Sequence, residues 1–249
     1  MSKRLAVLGS PIAHSKSPQI QLAALRILGI EATFNRIEVA NLSEFLSSGD
    51  QGFDAFSLTM PLKEQARAVA DWEDELVSKT NSANYLLRSG DQWKAFNTDV
   101  FGIKKAVEKV PAKTVGVLGT GATARSALAA FTQVELRIWG RNTDAAQQLA
   151  QDFDAASVGL DAVLDCDLVV STLPGDALAD LVARQHEGVL LDVVYSRPSP
   201  EGFTAYVSGL RMLIWQAIGQ LRILLNDSNP LPDEEALANA MLIAAEVAE

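Results

Sequence analysis

One glycine-rich turn and four polar clusters carry the residues whose types and spacing could do chemistry. The run Val115-Gly116-Val117-Leu118-Gly119-Thr120-Gly121-Ala122-Thr123-Ala124 is apolar, breaks into glycines, and continues with the small residues of a helix. That is how a chain turns backbone N–H groups toward a phosphate, so a nucleotide is the leading ligand, with Gly119, Thr120, Gly121 and Ala122 as its cradle. The form is G-x-G-A-x-A, and a plain tight strand-to-helix turn would look much the same. A second apolar stretch, Val134-Glu135-Leu136-Arg137-Ile138-Trp139, ends in Gly140-Arg141-Asn142. This is about 20 residues beyond the glycines, where an NAD-type site carries a carboxylate for the ribose hydroxyls. Here the place holds Arg141, with Asn142 beside it and Asp144 the nearest acid. A guanidinium there suits the extra 2′-phosphate of NADP(H); a solvent-facing loop arginine is the plainer reading.

The polar clusters lie earlier in the chain. His14-Ser15-Lys16-Ser17-Pro18 follows the first apolar run and precedes a helix, so its hydroxyls and amides could bind a carboxylate, unless Ser17 is only a cap ahead of Pro18. Ser57-Leu58-Thr59-Met60-Pro61-Leu62-Lys63 places Lys63 in the first turn of an expected helix, where the dipole disfavours a cation. Many such lysines are simply solvated. Asn81-Ser82-Ala83-Asn84 precedes a strand, and Phe96-Asn97-Thr98-Asp99 joins a strand to the next helix, with Asp99 an N-cap or a functional carboxylate. A lysine and an aspartate together beside a nicotinamide would form a proton-transferring pair for interconverting an alcohol and a ketone.

The elements that must position these residues alternate between strand and helix throughout. Strands are expected at Leu5–Leu8, Phe34–Val39, Phe53–Leu58, Ala83–Leu87 and Trp93–Phe96, with helices near Pro18–Leu28, Leu42–Ser48 and Pro61–Trp72. A helix over Gly102–Val110 leads to strands at Thr114–Leu118, Glu135–Trp139, Leu168–Ser171 and Val189–Val193 with intervening helices, of which Ala122–Phe131 and Thr143–Phe153 are the clearest. Leu210–Leu225 and Pro232–Val247 read as long closing helices, the second opening on Pro-Asp-Glu-Glu.

Composition narrows the class. The chain has 249 residues, 48% of them hydrophobic, enough for a substantial core in one large domain or two ordinary ones. Its net charge of −10 argues against general nucleic-acid or anionic-membrane binding, yet leaves room for a small anionic substrate held by local cations. Cys166, the sole cysteine, cannot form an internal disulfide and is expected to pack at a strand edge. Two histidines, one cysteine and no close ligand spacing make a metal site unexpected. The N-terminal segment has no long apolar signal region, and no segment reaches about 18 uninterrupted apolar residues. A soluble, cytoplasmic protein is expected.

The motifs taken together closely resemble the shikimate dehydrogenase family. Ser15-Lys16-Ser17-Pro18, Thr59-Met60-Pro61-Leu62-Lys63, Ser82-Ala83-Asn84 and Asn97-Thr98-Asp99 match that family's motifs in order and spacing. The match continues through Gly119-Thr120-Gly121-Ala122, Asp192-Val193-Val194-Tyr195 and Gly209-Leu210-Arg211-Met212-Leu213-Ile214-Trp215-Gln216. The resemblance implies NADPH-dependent reversible reduction of 3-dehydroshikimate to shikimate, in aromatic amino-acid biosynthesis. It also implies a two-domain α/β fold: an N-terminal substrate domain over residues 1–100, a Rossmann-like NADP-binding domain over 101–209, and C-terminal helices over 210–249 packing back on the first domain.

By the same resemblance Lys63 and Asp99 are the central catalytic pair. Ser15, Ser17, Thr59, Asn84, Tyr195 and Gln216 attend the substrate; Gly119, Thr120, Gly121, Ala122, Arg141 and Asn142 hold the cofactor. It admits a homodimer. The alternatives are a quinate/shikimate dehydrogenase preferring NAD, and a nucleotide- or metabolite-binding regulatory protein without turnover. The chain departs from the family pattern in four places. Ser57-Leu58-Thr59 replaces Asn-Val-Thr, Ala122 stands at the fourth position of the glycine loop, Gly140-Arg141-Asn142 replaces Asn-Arg-Thr/Ser, and Ser171-Thr172-Leu173-Pro174 replaces an Asn-Ala-Thr stretch.

Overall fold

The structure is a computed structural model and describes residues 2–49, 52–196, 201–225, 231 and 233–247. The chain divides into two compact units, Met1–Thr98 with Ile214–Glu249, and Asp99–Leu213.

The first unit runs β1 (Lys3–Gly9), α1 (Ser17–Ile27), β2 (Ala32–Glu38), α2 (Leu42–Ser47), β3 (Ala55–Leu58), α3 (Ala66–Val69), β4 (Trp72–Glu73), α4 (Glu75–Thr80), β5 (Tyr85–Ser89) and β6 (Gln92–Phe96). These strands form one mixed sheet in the order β2-β1-β3-β5-β6-β4. β1 pairs in parallel with β2 and β3, while β5 runs antiparallel to β3 and β6. Leu5, Ala6, Val7 and Leu8 are all buried, as are Ala55, Phe56, Ser57 and Leu58, which is why these two strands read as unbroken apolar runs. The β5–β6 turn is Gly90-Asp91, and Gly90 takes φ +65°, the conformation a tight hairpin asks of its first central residue.

The second unit runs α5 (Asp99–Ala106), β7 (Thr114–Leu118), α6 (Ala122–Ala130), β8 (Glu135–Trp139), α7 (Thr143–Asp152), β9 (Ala156–Ser157), α8 (Leu160–Leu164), β10 (Leu168–Ser171), β11 (His186–Asp192) and β12 (Phe203–Ser208). Its sheet is parallel throughout, in the order β12-β11-β10-β7-β8-β9. From β7 the chain proceeds outward through β8 and β9, then returns to the other side of β7 and proceeds through β10 to β12. The reversal leaves a topological switch point beside β7, and in open parallel sheets the crevice at the strand C-termini there receives ligands. Two helices close the chain, α9 (Gly209–Leu224) and α10 (Glu234–Val247). From Ile214 onward α9 belongs to the first unit, where α10 packs on α1. This is the two-domain α/β architecture with a Rossmann-like sheet that the motifs imply.

Strands β7, β8 and β10 lie where the apolar runs place them, and most other elements agree within a few residues. Five elements have no counterpart in the sequence reading: β4, α4, β9, α8 and β12. The expected helix Pro61–Trp72 shrinks to the four residues of α3, because residues 60–65 form turns and Trp72 enters β4 beside Lys94 of β6. α5 starts at Asp99 rather than Gly102. Cys166 is core rather than strand edge: it is buried against Val163, Leu164, Val169 and Leu190, and burial pushes its thiol pKa up. The expected start of the last helix, Pro232, lies outside the described residues. Among the described residues no helix is long and apolar enough to cross a membrane.

Candidate active site

Backbone hydrogen bonds gather several of the expected site residues at the C-terminal ends of β1 and β3. The Thr59 amide donates to the Leu8 carbonyl at 3.0 Å, the Leu58 amide to the Asn84 carbonyl at 2.8 Å, and the Ala83 amide to the Lys63 carbonyl at 2.8 Å. Thr59, Lys63 and Asn84 are therefore tied by main-chain bonds that side-chain substitution leaves in place. Gly9 makes the approach possible, since a Cβ there would collide with the Thr59 methyl. Lys63 sits half-buried in the turns before α3, so the helix-dipole argument for it does not hold; its placement comes from those turns and from its carbonyl bond to Ala83.

Ser15 and Ser17 are both buried in the segment leading into α1. Ser17 is the first residue of the helix, not its cap; the N-cap position is Lys16, which supplies no side-chain acceptor. The Ser17 amide donates to Ser15 Oγ at 3.4 Å, and Arg36 Nε holds the Ser15 carbonyl at 2.7 Å. Glu38 takes bonds from Ser10 Oγ and the Ile12 amide, while Lys16 Nζ donates to the Ala245 carbonyl of α10. Ser17 and Gln21 lie one turn apart on the same face of α1, and Gln21 leads into the interior.

A chain of buried amides and hydroxyls continues from there. Gln21 Nε2 donates to Gln220 Oε1 at 2.6 Å and Ser57 Oγ donates to the same oxygen at 2.7 Å. Gln220 Nε2 donates to Gln216 Oε1 at 2.8 Å, and Asn84 Nδ2 reaches that oxygen at 3.1 Å. Asn84 Oδ1 accepts from the Thr98 amide at 2.8 Å, which fixes the residue immediately before Asp99. Asp99 is itself buried and opens α5. Asn97 clips Thr80 and the Ser82 carbonyl, at 2.8 and 3.1 Å. Asn81, in the same sequence cluster as Asn84, plays a different part and ends α4 in the left-handed conformation at φ 51°. Sequence reasoning missed Gln21, Gln220 and the bonding of Ser57. The available signal was Gln216 and Gln220 recurring one turn apart within an otherwise apolar helix face.

In the second unit the glycine loop leaves β7 at the switch point. Gly119 takes φ +113°, and a Cβ there would strike Thr172 Oγ1, so only glycine fits both the turn and its neighbour. Thr172 is locked in that position by two bonds to the Leu118 carbonyl, from its amide at 2.9 Å and its hydroxyl at 2.8 Å. Gly121 is the N-cap of α6, with open space where its Cβ would be and no acidic residue in the helix's first turn. Gly140 lies against the Thr120 methyl, which brings the tip of β8 beside the loop. Arg141 follows on the surface, whereas Asn142 caps α7, its Oδ1 accepting from the Ala145 amide at 3.1 Å. Tyr195 lies half-buried in the turn after β11, where Asp192 Oδ1 accepts from the Val194 amide.

A dinucleotide-type loop on a parallel sheet, with a buried polar network on a separate mixed sheet, is the two-domain α/β arrangement of nucleotide-dependent oxidoreductases. A family model described as the shikimate dehydrogenase substrate binding domain matches residues 7–86. A shikimate dehydrogenase (NADP(+)) of Ignicoccus hospitalis is 31% identical, over 90% of this chain and 93% of that one. The crystal structure of shikimate 5-dehydrogenase from Thermus thermophilus, in complex with NADP(H) and shikimate, superposes with a TM-score of 0.83 at 29% identity, covering 97% of this chain and 99% of that chain. Shikimate dehydrogenase of Mycobacterium tuberculosis gives 0.82 at 34% identity, covering 97% and 99%. The chain belongs to the shikimate dehydrogenase family.

Proposed function

We propose that this chain catalyses the reversible NADPH-dependent reduction of 3-dehydroshikimate to shikimate. The carrying observation is the buried hydrogen-bonded set of Asn84, Thr98, Gln216 and Gln220, set among the residues that match the family's substrate motifs. A site dense in oriented amides and hydroxyls suits a small polyhydroxylated acid, because each unmatched substrate hydroxyl would strand a buried polar group. Ser15 and Ser17 receive the carboxylate; Thr59, Asn84, Tyr195 and Gln216 receive hydroxyls.

The nucleotide loop fits NADP(H). The open N-terminus of α6 at Gly121 suits a pyrophosphate, and the surface guanidinium of Arg141, beside the loop through the Gly140–Thr120 contact, suits a 2′-phosphate. Asn142 contributes by capping the helix that follows Arg141. The hydride comes from the reduced nicotinamide when NADPH is bound. The Lys63 ammonium stabilises charge developing on the carbonyl oxygen and supplies its proton; Asp99 orients that ammonium and binds a neighbouring hydroxyl.

The test is turnover by the purified protein in both directions, followed by the near-ultraviolet absorbance of NADPH, with Lys63→Ala and Asp99→Asn alongside. The expected result is activity in the unmodified protein, a loss of about 10²-fold or more in kcat for each variant, and nearly unchanged NADPH binding. Folded protein that binds both ligands without hydride transfer overturns the assignment in favour of a binding protein. Near-normal turnover in both variants overturns the Lys63–Asp99 pair alone.

A further inference from the structure

Two main-chain groups decide which way three buried carboxamides are turned. A backbone carbonyl only accepts and a backbone N–H only donates, whereas a carboxamide can be turned either way. The Thr98 amide lies 2.8 Å from one end of the Asn84 side chain, so that end is Oδ1. The other end, facing Gln216 at 3.1 Å, is therefore Nδ2, a donor. The Asn84 carbonyl lies 3.3 Å from one end of Gln220, so that end is Nε2, which also faces Gln216 at 2.8 Å. Two donors thus converge on the same Gln216 atom, and it must be Oε1. The Gln220 oxygen on the far side then faces Gln21 and the Ser57 hydroxyl, both able to donate to it.

We propose that Gln220 is a positioning residue that locks the Gln216 carboxamide with its oxygen inward, making Gln216 an N–H donor of fixed orientation toward the substrate. The inference rests on the reading that Gln216 contacts substrate, and it adds a specificity: the group Gln216 meets must be an acceptor, a hydroxyl or ketone oxygen. Turning Gln216 over would set its Nε2 against two donors and lose both bonds. Gln220 acts from one helical turn further along α9, where it is 1% exposed.

The experiment is a mutant cycle in shikimate oxidation with the unmodified protein, Gln220→Leu, Gln216→Ala and the double variant. Gln220→Glu is a second probe that keeps size and the acceptor toward Gln21 and Ser57 but removes the Nε2 donor. The shikimate KM is expected to rise about tenfold in each Gln220 variant with the NADP+ KM unchanged, and the double variant to be no worse than Gln216→Ala alone. Additive losses in the double variant, or a parallel rise in the NADP+ KM, overturn the proposal by marking a merely structural role. An unmodified protein that does not turn over shikimate refutes the functional reading instead. The orientation is then read without turnover by neutron diffraction of the unmodified protein: deuterons on the Gln220 atom facing the Asn84 carbonyl and none on the facing Gln216 atom uphold the lock, and the reverse arrangement overturns it.

Discussion

Asn84→Ala removes the side chain that joins the buried network to the segment entering Asp99. Its Oδ1 satisfies the Thr98 amide at 2.8 Å, its Nδ2 supplies one of the two donors to Gln216 Oε1 at 3.1 Å, and it is 2% exposed. Truncation strands a buried N–H, at a cost of about 1–3 kcal/mol, and loses a second bond worth about 0.5–1.5 kcal/mol net. Together the loss is about 2–4 kcal/mol, large against the marginal stability of a domain. The Leu58 amide still reaches the Asn84 main chain, so the strand end persists and the damage is local. Urea unfolding followed by circular dichroism measures the loss as a lower midpoint at constant m-value. Steady-state kinetics should show the substrate KM rising by about tenfold or more while the NADPH KM holds. A midpoint change equivalent to less than about 0.5 kcal/mol, or equal rises in both KM values, would contradict this placement of Asn84. Asn84→Asp, which keeps the acceptor for Thr98 but not the donor to Gln216, should recover part of the stability and little of the substrate affinity.

Arg141→Ala should weaken NADPH binding by about 10- to 100-fold, the value of a charge-assisted phosphate contact, and leave NADH nearly unaffected; fluorescence titration with the two nucleotides checks this, and equal losses place Arg141 outside the phosphate site. Gly119→Ala should reduce nucleotide affinity and stability together, because φ +113° and Thr172 leave no room for a Cβ; an unchanged thermal midpoint and nucleotide affinity would contradict that geometry. Acid should weaken the second unit through two carboxylates. Asp165 is held below the usual carboxylate range by Arg184 and then His186, and Asp167 by the amides of Thr114 and Lys113. A depressed folded pKa contributes stability above the unfolded value, about 4, and loses it as pH falls through the folded value. Asp167→Asn should therefore flatten the acid side of the stability profile below about pH 4, as read by urea midpoints across that range; an unchanged slope contradicts the assignment.

The second unit was the more legible half of the fold: β7 and β10 are buried almost throughout and so appear as continuous apolar runs, while β8 alternates buried Leu136 and Ile138 with more exposed neighbours, and all three fall on their expected residues. β12 escaped because it is partly exposed along its length and lacks such a run. α3 was overextended because the periodicity from Pro61 to Trp72 resembles a helix, while tertiary pairing draws Trp72 into β4 and the preceding amides close turns instead. At the candidate site, motif order pointed to Asn84 and Gln216, and the structure joins them. Gln21 and Gln220 were invisible as partners, being 199 residues apart in sequence and meeting only in the folded chain. Ser57, read as a departure from the family pattern, proves to be bonded by these two glutamines, so their side chains engage the shorter residue.

One steady-state matrix separates a dehydrogenase acting on shikimate with a 2′-phosphorylated cofactor from its alternatives. Shikimate and quinate are each oxidised with NADP+ and with NAD+ by the unmodified protein, and kcat/KM is compared across the four combinations. Shikimate with NADP+ is expected to exceed each other combination by about tenfold or more. A maximum at quinate with NAD+, or no turnover in any combination by folded protein, would contradict it.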